Sequence, residues 1–466
     1  MNRGKITVDR MSGLFEQNQA LISAKYPASV ARIREKAFGA FRELGIPHPK
    51  LEEWKNTDLS GSLDREYEYP LQPANGKDFQ KVFHCNIPHL DTAMIGQLNG
   101  WYVSKDVPLI ELGNGIILGS LAEAMQRVPG IAGKYFSSIA DFTGDAFTAL
   151  NTAFAWDGIF IYVPDGVKSP KPIQMINVIQ DNENLFLQSR NLIILGKDSR
   201  LSVVHCDDSY NQVPSFSNIV TEIFMDDHAS LDHYKLQNLN NNSTLVSTTW
   251  FRLGEHAGLD SNFLSMNGGL IRNNTQVVFG GPDGNASVQG LYLMDRKQHI
   301  DNRLFIDHAY PECTSNELFK GILDENAIGV FNGHVLVRKD AQKTNAYQSN
   351  RNILLTDTAK INSKPFLEIY ADDVKCSHGS TTGQLDPQAM FYLRQRGISE
   401  ENARMLLMYA FAEEVVGRIN IPPLRYRIED MIKKRLQCEL QICEQCVLHC
   451  STTEHPVEFE IDVSKI

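Results

Sequence analysis

Apolar residues Val30, Ile33, Ala37, Phe41 and Leu44 recur at three- and four-residue steps before Gly45 and Pro47. That spacing marks one face of an α-helix and its stop, and predicts a largely helical N-terminal region over 1–90, followed by a mixed connecting segment over 91–149. From 150 to 385 the texture changes to short runs such as GIFIYV, NLIIL and RLSVVH, punctuated by Gly, Asp and Asn. Runs of β-branched and aromatic residues between turn formers read as many short strands. Helical spacing returns over 386–466, where Asp386 and Pro387 form an N-cap and first turn, Gly397 a stop, and Ser399 with Glu400 and Glu401 a second start. The helix that follows carries an apolar stripe of Ala403, Leu406, Leu407, Ala410, Phe411 and Val415, ending near Gly417.

The strand-rich part repeats weakly. A turn residue, a small residue and an alternating strand recur in DSRLSVV, DHASLDHY, EHAGLDSNF, GNASVQGLY, ENAIGVF and DTAKINS. The small residues are Ser199, Ala229, Ala257, Ala286, Ala327 and Ala359, at steps of 30, 28, 29, 41 and 32. Such spacing suggests stacked rungs. The expected fold is mainly β, a parallel β-helix (β-solenoid) flanked by helical N- and C-terminal regions; a β-sandwich with coincidental spacing is the competing arrangement. A solenoid leaves unpaired strand edges at its two ends, which need caps or partners.

Composition narrows the partners. The chain has 466 residues, 42% hydrophobic and 22% charged, with a net charge of -11, which disfavours nucleic acid and a basic membrane-binding role. The N-terminus MNRGKITVDR lacks an apolar signal core, and no stretch approaches the roughly 18 apolar residues of a membrane span. A cytoplasmic location is expected, with the eight cysteines reduced. Gly-Lys occurs four times but is never followed by Ser or Thr, so no Walker A loop exists; zincin helix, nucleophile elbow and dinucleotide fingerprint are also missing.

Cys376 and His378 concentrate the candidate chemistry. One residue apart on a strand, they project from the same face, and thiolate with imidazole suits iron or zinc. A cluster takes about four ligands, so the remainder would come from elsewhere; a buried Cys beside a hydrogen-bonded His is the structural alternative. Asp372 and Asp373 just before them fit a solvated turn. His84–Cys85 and His205–Cys206 are sequence neighbours, which point to opposite faces of a strand. In the tail, Cys438, Cys443, Cys446 and Cys450 have a spacing partly like that of plant-type ferredoxins, with His449 as a further donor. If the helix suggested by Ile428, Met431, Ile432 and Leu436 continues, Cys443, Cys446 and Cys450 share a face with Val447, as a packed stripe would.

The segment EIYADDVKCSHGSTTGQLD, with FYLRQRGIS and YAFAEEV, resembles the C-terminal signature of the SufB/SufD family of iron–sulfur cluster assembly proteins, on its SufD side. LEEWKNTDLS, LNTAFAWDGIFIYVP and FKGILDENAIGVFNGHVLV agree in the same order, so the resemblance spans most of the chain. At 376–378 the SufB pattern has a Glu-containing motif instead. The resemblance implies a right-handed parallel β-helix in a non-catalytic scaffold subunit, pairing end to end with a SufB-like paralogue, or with itself when alone. It implies that a SufC-like ABC ATPase docks on the C-terminal helices, with Leu406, Leu407, Ala410 and Phe411 as contacts. It also implies iron or a transient iron–sulfur cluster at a shared interface, with His378 favoured over Cys376 as ligand, and leaves room for a reduced flavin in the complex. No family role attaches to the tail cysteines. A purely structural adaptor and a β-helical carbohydrate-active enzyme are the other readings; the latter are usually exported.

Overall fold

The computed structural model describes residues 3–73, 87, 89–103 and 107–436. From Leu185 onward the chain crosses back and forth between two sheets, so that each strand pairs in parallel with the strand two steps earlier. The first sheet stacks Leu185–Leu195, Ser215–Met225, Thr244–Leu253, Leu270–Phe279, His299–His308, Ile328–Val337 and Lys360–Ile369. The second stacks Arg200–Ser209, Ser230–Asn238, Gly258–Asn267, Asn285–Met294, Thr314–Leu323, Asn345–Leu354 and Lys375–Gly383. The result is a β-solenoid of about seven turns between N- and C-terminal helices, as the repeat predicts. Ala93–Leu98 adds an earlier strand, pairing in parallel with Ile173–Ile179.

Register explains the irregular 41-residue step. Ser199, Ala229 and Ala257 precede strands of the second sheet, whereas Ala327 and Ala359 precede strands of the first. Ala286 lies one position inside its strand, opposite Leu259. The sequence pattern therefore merges two corners, and each sheet on its own keeps rungs of ordinary length.

One corner is built from a column of left-handed residues: Asp198, His228, His256, Asp283, Glu312 and Lys343, all with φ between 54° and 62°. Such a backbone costs about 1–2 kcal/mol at a non-glycine residue. Here each residue's N–H is satisfied by a carbonyl of the following turn, as in His228 to Glu255 at 2.7 Å and His256 to Pro282 at 3.0 Å. Hydrogen bonds thus run along the solenoid at its corner as well as through its sheets.

Inside, the two edges are apolar, one lined by Val203, Phe251, Val277 and Val335, the other by Ile219, Leu245, Ile271 and Leu323. Between them runs a polar seam. Gln97 donates to Asn191 at 3.0 Å, Gln237 to Asn273 at 2.8 Å, and Asn273 to Asn302 at 3.0 Å. Buried amides pair in this way because an unpaired one costs roughly 1–3 kcal/mol.

Terminal segments cover the outer faces. Helix Ala28–Leu44 ends at Gly45, whose φ of 68° makes the turn, and its Val30, Ala37, Phe38 and Phe41 are buried in a core shared with helix Ala146–Phe154. The LEEWKNTDLS motif lies along the outer face of the first sheet. Trp54 stacks under the Arg272 guanidinium, 3.6 Å from the ring centre, and Thr57 donates to Asp301 at 2.7 Å. Glu52 reaches Lys364 on the last strand of the first sheet at 3.1 Å, while Glu68 pairs with Leu185 near the other end. On the second sheet, helices Glu400–Val416 and Pro422–Leu436 bury Met405, Met408, Val415, Ile428 and Met431 against Val204, Tyr234, Leu264 and Ile322. Each such side chain contributes about 1.5–3 kcal/mol. Asp386 and Ser399 cap their helices by accepting from Gln388 and Asn402, as expected.

Among the described residues no helix is long and apolar enough to cross a membrane.

Candidate functional site

The last strand, Lys375–Gly383, pairs with Asn345–Leu354 on one side only. Its register places Cys376 opposite Ala346 and His378 opposite Gln348. One rung deeper, Ala346 stands opposite Ser315 and Gln348 opposite Glu317. Ala346, Ser315, Gln348 and Glu317 are all buried, so both columns face the solenoid interior. Cys376 and His378 are thus the outermost members of two inward-facing columns. Cys376 is half-buried against the apolar edge that includes Val337, Ala341 and Ala371, whereas His378 is exposed at the open end.

The two Cβ atoms lie about 7 Å apart along the strand, which lets a thiolate and an imidazole converge on one ion. Burial pushes the Cys376 thiol up, and negative charge on Glu317 adds to the shift. It therefore holds its proton at neutral pH. Among the described residues no third His, Cys, Asp or Glu joins the pair in a metal-holding group. Asp372 and Asp373 are exposed in the preceding turn, where Asp373 O accepts from Lys343 N.

Beneath His378 lies a carboxyl that the sequence pattern does not single out. Glu317 is only 3% exposed, its Oε2 accepts from Gln348 Nε2 at 3.3 Å, and its Oε1 has no partner. Burial pushes it up to about 7. The unfolded chain releases this proton near 4.5, so between these values the native state holds a proton the unfolded state has lost, and stability falls as pH rises. Glu317→Gln removes that slope. Its stability relative to the parent should improve by about 2–3 kcal/mol between pH 5 and pH 8, read from denaturant midpoints at both values; a constant difference would refute the assignment.

Other candidates are placed as follows. His205 faces the interior, 3.3 Å from Asp207, while Cys206 points outward beneath the C-terminal helices, the opposite orientations expected of strand neighbours. On helix Glu400–Val416 the buried residues are Ala403, Met405, Met408, Ala412, Val415 and Val416. Leu406 and Leu407 are half-buried and Ala410 is exposed. Phe411 instead packs toward the solenoid, its ring over the buried Lys320 at 4.3 Å. Helix Pro387–Gln395 buries none of its residues, and Phe391 and Tyr392 are 63% and 57% exposed. His84, Cys85, Cys438, Cys443, Cys446, His449 and Cys450 lie outside the described residues.

Fold and site together define a class of protein: a parallel solenoid capped at its first turns and open at its last, with a thiol and an imidazole on the open strand. Residues 178–411 match the family described as SUF system FeS cluster assembly, SufBD core domain, and residues 7–175 match the SufBD protein N-terminal region. The chain belongs to the SufBD family. It is 28% identical over 395 residues to the iron–sulfur cluster assembly protein SufD of Escherichia coli, covering 84% of this chain and 90% of that one. An iron–sulfur cluster assembly SufBD family protein of Synechocystis is 29% identical over 434 residues, covering 90% and 94%. SufD of Bacillus subtilis is 25% identical over 432 residues, covering 88% and 95%.

Proposed function

We propose that the chain is a non-catalytic scaffold subunit for iron–sulfur cluster assembly, which contributes His378 and Cys376 to a site completed by a SufB-like paralogue. The observation that carries this reading is the open end: two singly paired strands, Lys360–Ile369 and Lys375–Gly383, the latter bearing a Cys and a His that no third ligand joins in a metal-holding group among the described residues. Unpaired strand edges favour end-to-end association. Exposed Tyr347, Ile369 and Tyr370 supply apolar area beside them, Tyr370 at 63% exposure. Iron, or the nascent cluster, is cargo here rather than a resident cofactor. Without the paralogue, the same end serves a second copy of the chain.

The second contact is to a SufC-like ABC ATPase on the C-terminal helices. Leu406, Leu407 and Ala410 lie outside the buried set of Glu400–Val416, and that helix also contacts the exposed helix Pro387–Gln395, which supports a docking face. Co-expression with both partners, anaerobic purification, and iron and sulfide quantification test the whole reading. A complex containing all three chains but no assembly-dependent iron would reduce this chain to a structural adaptor. Leu407→Asp should abolish co-purification with the ATPase while leaving the chain soluble. Loss of solubility would mark Leu407 as core.

A further inference from the structure

This inference rests on the reading of the open end as the place where iron is held, and concerns a further group beside His378. Ser380 follows His378 by two residues on the last strand, so both project from the same face, and the register sets Ser380 opposite the fully buried Asn350. Across the open end the Ser380 hydroxyl donates to Ser363 Oγ at 2.8 Å, and Ser363 donates to Asn350 Oδ1 at 2.8 Å. These bonds join the last strands of the two sheets, Lys375–Gly383 and Lys360–Ile369. Deeper in, Asn352 Nδ2 donates to the same Asn350 Oδ1 at 2.7 Å, and Tyr292 OH donates to Asn352 Oδ1 at 2.6 Å. Gly321 lies between Tyr292 and Asn352 in register. A Cβ there would stand 2.6 Å from Asn352 Oδ1, so the glycine is what lets the phenol reach across a rung.

One backbone carbonyl sets the direction of the bonds that lead to Ser380. Asn350 Nδ2 donates to Phe319 O at 3.2 Å, and a carbonyl only accepts, which fixes the amide with Oδ1 toward Ser363. Asn350 Oδ1 is itself only an acceptor, so the Ser363 proton points at it. Ser363 then has lone pairs alone to offer Ser380, and Ser380 turns its own proton inward. A hydroxyl at an open strand ordinarily rotates to suit either kind of partner; this one is held as an acceptor. We propose that Ser380 Oγ accepts a hydrogen bond from water bound to ferrous iron at His378, and that Ser363 and Asn350 are positioning residues that keep it in that role. The Cβ atoms of His378 and Ser380 lie about 7 Å apart along the strand, a span that an imidazole, an ion and its water bridge. A bound cation makes its water more acidic and so a stronger donor. Sulfide bridging two metals has no proton to give and meets lone pairs at Ser380. The open end is thereby suited to hydrated ferrous ion ahead of sulfide.

Ferrous iron titrated anaerobically into the complex of the full chain with both partners tests the proposal. Ser380→Val puts a methyl where Ser380→Thr keeps the oxygen, at nearly the same shape. The Val variant should bind ferrous iron about tenfold or more weakly, as loss of an outer-shell partner typically does, and the Thr variant should restore binding. Ser363→Ala, which leaves the Ser380 oxygen in place but frees its proton to turn outward, should weaken binding as well. Two further readouts separate this role from a merely structural bridge. Cuprous ion, which soft donors such as thiolate select, should bind Ser380→Val as tightly as the parent, and amide hydrogen exchange over 375–383 should be alike in the Thr and Val variants. Equal ferrous affinity in those two variants would overturn the proposal, as would a Val variant that loses cuprous ion or strand protection to the same extent as ferrous iron. If His378→Ala binds iron like the parent while Ser380→Val does not, the acceptor stands and the histidine reading falls. The reverse pattern keeps the histidine and removes the acceptor. A parent complex that takes up no ferrous iron overturns both.

Discussion

His378→Ala is expected to lower iron retention and cluster formation in the assembled complex by more than the roughly 10–100-fold that follows loss of an outer-shell partner, because it removes a donor itself. Complex formation should survive. His378 is exposed on an edge strand, so its truncation should change folding stability by no more than about 0.5 kcal/mol. Cys376→Ala differs in kind, since Cys376 also packs against the apolar edge, and its loss combines a missing ligand with a small packing defect. Anaerobic reconstitution with iron and sulfide quantification, alongside size-exclusion chromatography of the complex, separates the two effects. Full cluster formation by His378→Ala would remove the ligand assignment; a dissociated complex would relocate the histidine's role to the interface.

Arg190→Met should cost about 3–5 kcal/mol of folding stability. Arg190 and Glu222 form an ion pair at 2.6 Å with side chains 1% and 0% exposed. The guanidinium also reaches Asn151 and Thr152, at 3.3 and 3.1 Å. Glu222 in turn accepts the backbone N–H groups of Ser137, Ile139 and Ala140. The pair therefore fastens the segment Ser137–Phe154 to the outer face of the first sheet. Removing only the arginine strands a buried carboxylate, whereas Arg190→Met with Glu222→Met should be far milder than the sum of the single changes. Urea denaturation of the four proteins of this cycle measures the coupling, and an additive double variant would show that the charges do not act as a pair.

Much of the architecture is legible because it depends on local signals. The caps at Asp386 and Ser399 and the glycine at position 45 need only neighbouring residues. Rungs are legible through Ser199, Ala229 and Ala257, where the small residue and the turn recur together. The pattern fails where one sheet's corner gives way to the other's, between Ala286 and Ala327, because the two corners share a composition and only pairing tells them apart. Of the site, Cys376 and His378 stand out by residue type. Glu317 and Gln348 do not, since a Glu or Gln at an alternating strand position ordinarily faces solvent, and only the rung register turns these two inward. Shifting the repeat by one rung at a time from His378 would have reached them. The contacts of Trp54 with Arg272 and of Thr57 with Asp301 are beyond any local pattern, the partners lying more than two hundred residues away.

That separation bears on how the molecule is made. The segment carrying Glu52 and Trp54 leaves the ribosome early, yet its last contact, Lys364, lies 312 residues downstream. At roughly 5–20 residues per second, about 15–60 s pass before that contact exists. Arg272 follows Trp54 by 218 residues, so for about 11–44 s of this interval the indole lacks the guanidinium it will lie under. The strap that spans the finished solenoid is thus among the first parts synthesised, yet its last contact waits for nearly the whole first sheet.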